Sequence, residues 1–246
     1  MSLFRGSDRG QTGVAPWSDP GLTPIYNRRM RSLVAAILFV TLPFQDAPPK
    51  EPGPFRAPDL IELVTLDPTI KLDIRYATPN NLAGRAVYPE ARAFLQRPAA
   101  EAIVRAHRAL APRGYGLLVF DGYRPWRVTK LFWDVTSPEK REFVADPAKG
   151  SKHNRGCAVD LSMYDVKTGR EVEMPSVYDE MSPRAYPTYE GGSAQARERR
   201  DILRAAMENE GFAVEPNEWW HFNYKDWSQY PILDLAFADI SRSPVR

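Results

Sequence analysis

The stretch Ser151-Lys152-His153-Asn154-Arg155-Gly156-Cys157-Ala158-Val159-Asp160 constrains this chain more than any other. It crosses a glycine and enters the apolar alternation Ala158, Val159, Leu161, Met163, so it reads as a loop feeding an internal strand. Side chains in a strand alternate between faces, so Ala158 and Asp160 point one way and Cys157 and Val159 the other. A carboxylate on a strand is thus preceded by a histidine in its entry loop. Far downstream stands Glu218-Trp219-Trp220-His221, and the chain has only 3 histidines, His107 being the third. These residues point to one metal ion held by His153, Asp160 and His221, with Glu218 beside it.

Imidazole nitrogens and a carboxylate suit a divalent ion such as zinc, and three protein ligands leave a position for water. The single cysteine excludes an internal disulfide framework and a Cys-rich zinc module. Its strand parity also sets Cys157 apart from the ligands, as a small buried residue. A glutamate just before a metal-binding histidine is a reasonable general base, taking a proton from metal-bound water and passing it to a leaving amine. Glu218 and His221 would face apart on a regular strand and together on a helix, so an extended segment must bend or bulge near Trp219-Trp220. The bland alternative is a satisfied histidine, a turn-capping aspartate and an exposed glutamate, with the tryptophans as core. His107, on a helix flank, reads as structural.

The rest of the chain reads as α+β, with hairpins and separated helices rather than alternating βαβ units. Strands are expected at 60–66, 70–76, 115–120, 158–164, 212–215 and 219–224, with a return strand at 171–174 after the turn 165–170. Helices are expected at 98–110, 126–135 and 193–210, with a further helical turn or two over 138–144. Residues 77–88 and 175–192 carry Pro, Gly, Ser or Asn and read as long loops able to shape a site.

Residues 1–29 show no apolar periodicity and read as disordered or as a mis-called extension. Arg28-Arg29-Met30-Arg31 and the apolar run Leu33 to Leu42 match a secretory signal peptide over 30–47, implying export to the periplasm. The alternative is a buried core segment and a cytoplasmic protein. A Pro-rich linker, 48–58, would lead into a catalytic domain at 59–246. The net charge of +2 and the lack of a Lys/Arg run interleaved with aromatics give no support to nucleic-acid binding.

Ser-x-His-x-x-Gly-x-Ala-x-Asp followed by Glu-x-x-His resembles the zinc D,D-peptidases that include VanX-type D-alanyl-D-alanine dipeptidases. Tyr76-Ala77-Thr78, Asp121-Gly122-Tyr123-Arg124-Pro125, Tyr178-Asp179-Glu180 and Met207-Glu208-Asn209 follow the same order, so the resemblance runs from about residue 60 to the C-terminus. It implies a single domain with a central, mainly antiparallel sheet flanked by helices and one zinc ion at the sheet face. By resemblance, His153, Asp160 and His221 bind zinc, Glu218 activates water and Arg124 stabilises the oxyanion. Tyr76 and Asp179 match residues that hold a dipeptide's free ammonium, and Ser151 matches a serine near its C-terminal end. The implied reaction is hydrolysis of D-alanyl-D-alanine to two D-alanines, without a stable membrane span after processing. Its rivals are a D,D-carboxypeptidase or endopeptidase acting on peptidoglycan stems, and a non-catalytic zinc-bearing binding module.

Overall fold

The apolar run from Tyr115 becomes an interior strand of a five-stranded sheet, because its residues are buried on both faces. The structure, a computed structural model, describes residues 47–240. These belong to one compact unit, Phe44–Arg246, while the other, Met1–Pro43, falls outside the described residues. The expected disordered extension and nearly all of the expected signal peptide lie outside them too. Among the described residues no helix is long and apolar enough to cross a membrane.

The first elements are β1 (Leu60–Glu62), the helical turn α1 (Leu63–Leu66), β2 (Lys71–Leu72) and β3 (Phe94–Gln96). Helix α2 (Arg97–Leu110) has Pro98 in its first turn, where a missing N–H costs nothing. It lays Ala99, Ile103, Ala106 and Leu110 into the core. A short 3-10 turn and Gly114, at φ 81°, reverse the chain into β4 (Tyr115–Asp121). Then come α3 (Trp126–Val135), β5 (Ala158–Asp165), α4 (Ala194–Asn209), β6 (Phe212–Glu215), β7 (Glu218–Tyr224) and α5 (Phe237–Ile240). Ser193 caps α4 by accepting from Ala196 N at 3.0 Å, and Gly211, at φ 85°, follows its end.

The main sheet has the order β2-β4-β5-β7-β6, antiparallel except for the short parallel pair β2-β4. A second, two-stranded sheet pairs β1 with β3. This is the expected α+β fold with a mainly antiparallel sheet.

Three expected strands are corrected. The segment 60–66 is strand only to Glu62, because Leu63 N bonds to Ala93 O and the chain then coils so that Asp67 N reaches Leu63 O. The segment 70–76 pairs at Lys71 and Leu72 and then turns as a 3-10 helix, which swings Tyr76 into the interior. The return at 171–174 makes only an isolated bridge, Tyr164 with Glu171. The Pro-rich stretch 48–58 has no helix or strand, yet Arg56 N donates to Gln229 O at 2.8 Å.

Candidate active site

Three adjacent strands put their chemistry in one row. In the pairing register Asp160 of β5 lies opposite His221 of β7 on one side and Asp121 of β4 on the other. The β4–β5 register slips between Val119 and Asp121, and such an irregularity re-aims a side chain at a strand end. A second irregularity sits on β7: one step on β6, Val214 to Glu215, matches the passage from Phe222 back to Glu218. This bulge lets Glu218 and His221 face the same space, with Oε2 and Nδ1 3.4 Å apart.

His153 enters from the loop before β5. It opens a 3-10 turn, His153–Arg155, closed by Gly156 at φ 67°, a left-handed conformation that favours glycine. The turn is fixed from several sides. Arg124 N donates to His153 O at 3.1 Å, and Asn154 Nδ2 donates to Arg124 O and to Thr129 Oγ1, both at 2.8 Å.

Hydrogen bonds decide the tautomer of each imidazole. His153 Nδ1 lies 2.7 Å from Gly122 O, an acceptor only, so Nδ1 carries the proton. His221 Nε2 lies 2.8 Å from Asn223 Oδ1, and the Asn223 amide is oriented by its own donation to Glu215 at 2.6 Å. Nε2 therefore carries the second proton. The remaining atoms, His153 Nε2, His221 Nδ1 and Asp160 Oδ1, form a triangle with sides of 3.2, 3.1 and 3.3 Å. All three present lone pairs, and buried Asp160 Oδ1 has no hydrogen-bond partner among the described residues. Such a triangle needs a cation. Its sides match the roughly 3.3 Å edge of a tetrahedron with bonds of about 2.0 Å, the zinc–imidazole distance. The residues present therefore fit a divalent ion, and these three are a group able to hold one.

With no ion bound, the same electrostatics draw a proton to the triangle, in the place where an ion would leave His221 neutral and its Nδ1 lone pair available. Burial pushes the His221 imidazole toward neutrality, but Asp160 outweighs it and raises the pKa to about 9. Burial would likewise raise Asp160, yet His153 and His221 hold it well below the usual carboxylate range. Glu218 goes the other way: burial lifts it to about 8, partly opposed by His221.

Arg124 lies between carboxylates. Its Nε donates to Asp121 at 2.9 Å and its Nη2 to Asp160 Oδ2 at 3.4 Å, and the guanidinium sits 5.1 Å over the Tyr76 ring. The Tyr76 hydroxyl donates to Asp179, whose oxygens are 3.2 and 3.3 Å away. Asp179 is the one non-glycine among the described residues with positive φ, 61°, and burial raises its pKa to about 7. The Tyr178 hydroxyl links the two halves, 2.9 Å from Tyr76 Oη and 3.0 Å from Asp160 Oδ2. Ser151 accepts from His153 N at 3.2 Å, which leaves its hydroxyl proton free to donate.

All eight site residues expected from sequence line one cavity of about 360 Å³. Sequence reasoning assigned no role to Asp121, Tyr178, Asn223 or Glu215. Asn223 had a usable signal, since it stands two residues after His221 in a strand and so shares its face. His107 and Cys157 lie outside the metal group, as expected.

Residues 56–240 match the peptidase M15 family, described as D-ala-D-ala dipeptidase. The chain belongs to this family. It is 31% identical over 180 residues to the D-alanyl-D-alanine dipeptidase of Escherichia coli (strain K12), covering 73% of this chain and 92% of the relative. It is 35% identical over 188 residues to that of Enterococcus faecalis, covering 69% and 92%. With the D-alanyl-D-alanine dipeptidase of Enterococcus faecium it shares 34% over 180 residues, covering 66% and 89%. The family is one of metallopeptidases, so the lone-pair triangle and the glutamate beside it lie in a cavity whose expected work is peptide hydrolysis.

Proposed function

We propose that this chain is a zinc-dependent dipeptidase that hydrolyses D-alanyl-D-alanine to two D-alanines, with one zinc ion per chain held by His153, Asp160 and His221. The observation that carries this reading is the triangle of three lone-pair atoms with Glu218 3.4 Å from one of its members. Family membership and the relatives' names support the substrate. When bound, zinc polarises the scissile carbonyl and lowers the pKa of water.

The other work belongs to the side chains. Glu218 takes the proton of the attacking water and passes it to the departing amine nitrogen as the C–N bond breaks. Its raised pKa suits both duties near neutral pH, since an acid–base group works best near the operating pH. Arg124 offers a fixed guanidinium to the carbonyl oxygen as it turns anionic. Asp121 and Asp160 hold that guanidinium in place, so little reorganisation is needed during reaction.

Asp179 and Tyr76 form the ammonium end. A buried carboxylate that accepts from the Tyr76 phenol gains further from a substrate cation, and a free N-terminus supplies one. A longer chain would bring a neutral amide there and forfeit that gain. Ser151, with its free donor, suits the carboxylate end. Because Asp179 favours a free ammonium over a neutral amide, a stem-peptide carboxypeptidase is the less favoured reading. We place the enzyme outside the cytoplasm on the basic flank and apolar run of residues 28–42.

The test is hydrolysis of D-alanyl-D-alanine beside a peptidoglycan pentapeptide, with and without chelator. Turnover of the dipeptide alone, abolished by chelator and restored by zinc, is expected. Equal turnover of the pentapeptide would transfer the assignment to a carboxypeptidase.

A further inference from the structure

The metal-binding turn carries a buried cation that takes no part in the reaction. Arg155, two residues after His153 in the same 3-10 turn, is 6% exposed. Its Nη1 donates to Tyr230 O, and its guanidinium lies 5.5 Å from the centre of the Trp227 ring. Those contacts leave its charge uncompensated. Among the described residues the carboxylate that pairs with it is Glu51, which accepts from Nη2. Glu51 belongs to the Pro-rich strap before β1, about a hundred residues away in sequence. Its second oxygen accepts from Ile232 N at 3.2 Å, and Leu233 N in turn donates to Asn154 O at 2.9 Å. The strap, the metal-binding turn and the C-terminal segment 230–233 thus close on one another through Glu51.

We propose that Glu51 is a positioning residue for the metal centre: by neutralising Arg155 it clasps the turn that presents His153, so the strap from residue 51 onward is part of the site rather than a spacer. The inference rests on His153 being a metal ligand. The reasoning is electrostatic. A buried guanidinium that loses its carboxylate must find water or another anion. Arg155 lines the same cavity as His153, and Asp160 and Glu215 line it too. Any movement of Arg155 toward them drags the three-residue turn and tilts the His153 ring away from the triangle. Other bonds hold His153 and Asn154 from the β4–α3 side, but on the far side of the turn Glu51 supplies the charge. A second consequence concerns processing: any cleavage that frees the catalytic domain falls before Glu51.

The experiment measures zinc transfer from the full-length protein to a chromophoric chelator. Glu51→Gln keeps the side-chain shape and removes the charge, and is expected to release zinc roughly tenfold faster, the lower end of what supporting residues of metal ligands contribute. Glu51→Asp, which keeps the charge but falls short by a methylene, should lie between, and it serves as the readable variant if Glu51→Gln does not fold. Arg56→Gln breaks a different strap contact, Arg56 to Asp226 at 3.4 Å, and should release zinc at the wild-type rate. In an Arg155→Met background the Glu51→Gln effect should vanish. Wild-type release by Glu51→Gln, or equal acceleration by Arg56→Gln, overturns the clasp. So does an active exported protein whose N-terminus lies beyond Glu51. His153→Ala run alongside separates the two levels: stoichiometric zinc in that variant overturns the ligand reading itself, whereas its loss beside unchanged Glu51→Gln overturns the clasp alone.

Discussion

His107 and the pair His153–His221 are all buried, yet the protein finishes one and leaves the other two open. His107 Nδ1 accepts from Leu117 N at 3.0 Å, and its Nε2 lies 2.9 Å from Thr69 Oγ1. The Thr69 hydroxyl proton goes to Asp67 at 2.5 Å, so that oxygen accepts from Nε2. Both nitrogens are used, and the ring ties α2 to β4 and to the loop before β2. In the pair, each ring spends one nitrogen on the protein and turns the other toward Asp160 Oδ1. The surroundings pull the charges apart as well. Burial lowers the pKa of His107, whereas Asp160 raises that of His221 against burial. A histidine with two partners is mortar. Two histidines sharing one unpartnered carboxylate oxygen are a donor set suited to a cation.

The strongest way to break this contrast is to remove the group that works beside the donor set without belonging to it. Glu218→Gln leaves the triangle intact and deletes the base. Hydrolysis is expected to fall about a thousandfold, within the usual range for a positioned acid–base group, while zinc stays at one per chain by elemental analysis. Turnover within tenfold of wild type would take Glu218 out of the mechanism.

The next test exchanges the two kinds of histidine. His153→Ala should lose stoichiometric zinc, because two ligands remain where three are needed. His107→Leu should keep zinc and lose stability instead. It strands the buried Leu117 N–H and the Thr69 oxygen, at a cost of about 2–3 kcal/mol. At this size that is a fall in Tm of roughly 5–10 °C by calorimetry. Zinc loss in His107→Leu, or full zinc in His153→Ala, would erase the distinction.

How much of this was readable from the chain depends on how far each residue's partner lies. Segments whose signal is local emerged almost intact. The helix expected at 126–135 forms over those residues, and the Ala-rich periodicity of 98–110 became α2 from Arg97. The strands 60–66 and 70–76 failed because their alternation competes with contacts made far away. Leu63 is taken by Ala93 O, and Asp73 N by Val119 O just before the chain turns Tyr76 inward. Strand β3 was missed because Phe94–Gln96 is three residues long and exists only through β1. At the site, residue types and spacing pointed to the triangle, but its supports were silent. Asp121 matters because of Arg124 and Asp160, Tyr178 because of Tyr76, and Glu51 because of Arg155. A tautomer, too, is a property of the partner: nothing within the segment Glu218-Trp219-Trp220-His221 says that Asn223 will claim Nε2.

The smallest expected effect is a pH dependence, and it isolates His107. Its pKa in the folded protein is lowered, first by burial and then by Arg108, with Asp67 opposing. The unfolded chain, with an ordinary value of about 6.5, therefore binds the proton more readily than the folded one. The stability that neutral His107 supplies is complete above that value and is lost as pH falls through it toward the folded-state value. Protonation would place a hydrogen on Nδ1, where Leu117 N–H already points, so the clamp opens from that side. Thermal unfolding of the metal-free wild type and His107→Leu, each followed from pH 7.5 to pH 5, reads this directly. The Tm gap between them should narrow as the solution is acidified. Using metal-free protein keeps proton competition at His153 and His221 out of the comparison. A gap that widens would mean that the folded protein favours charged His107, and a constant gap that folding leaves its proton affinity unchanged; on either outcome the division between finished and unfinished histidines would have to be redrawn.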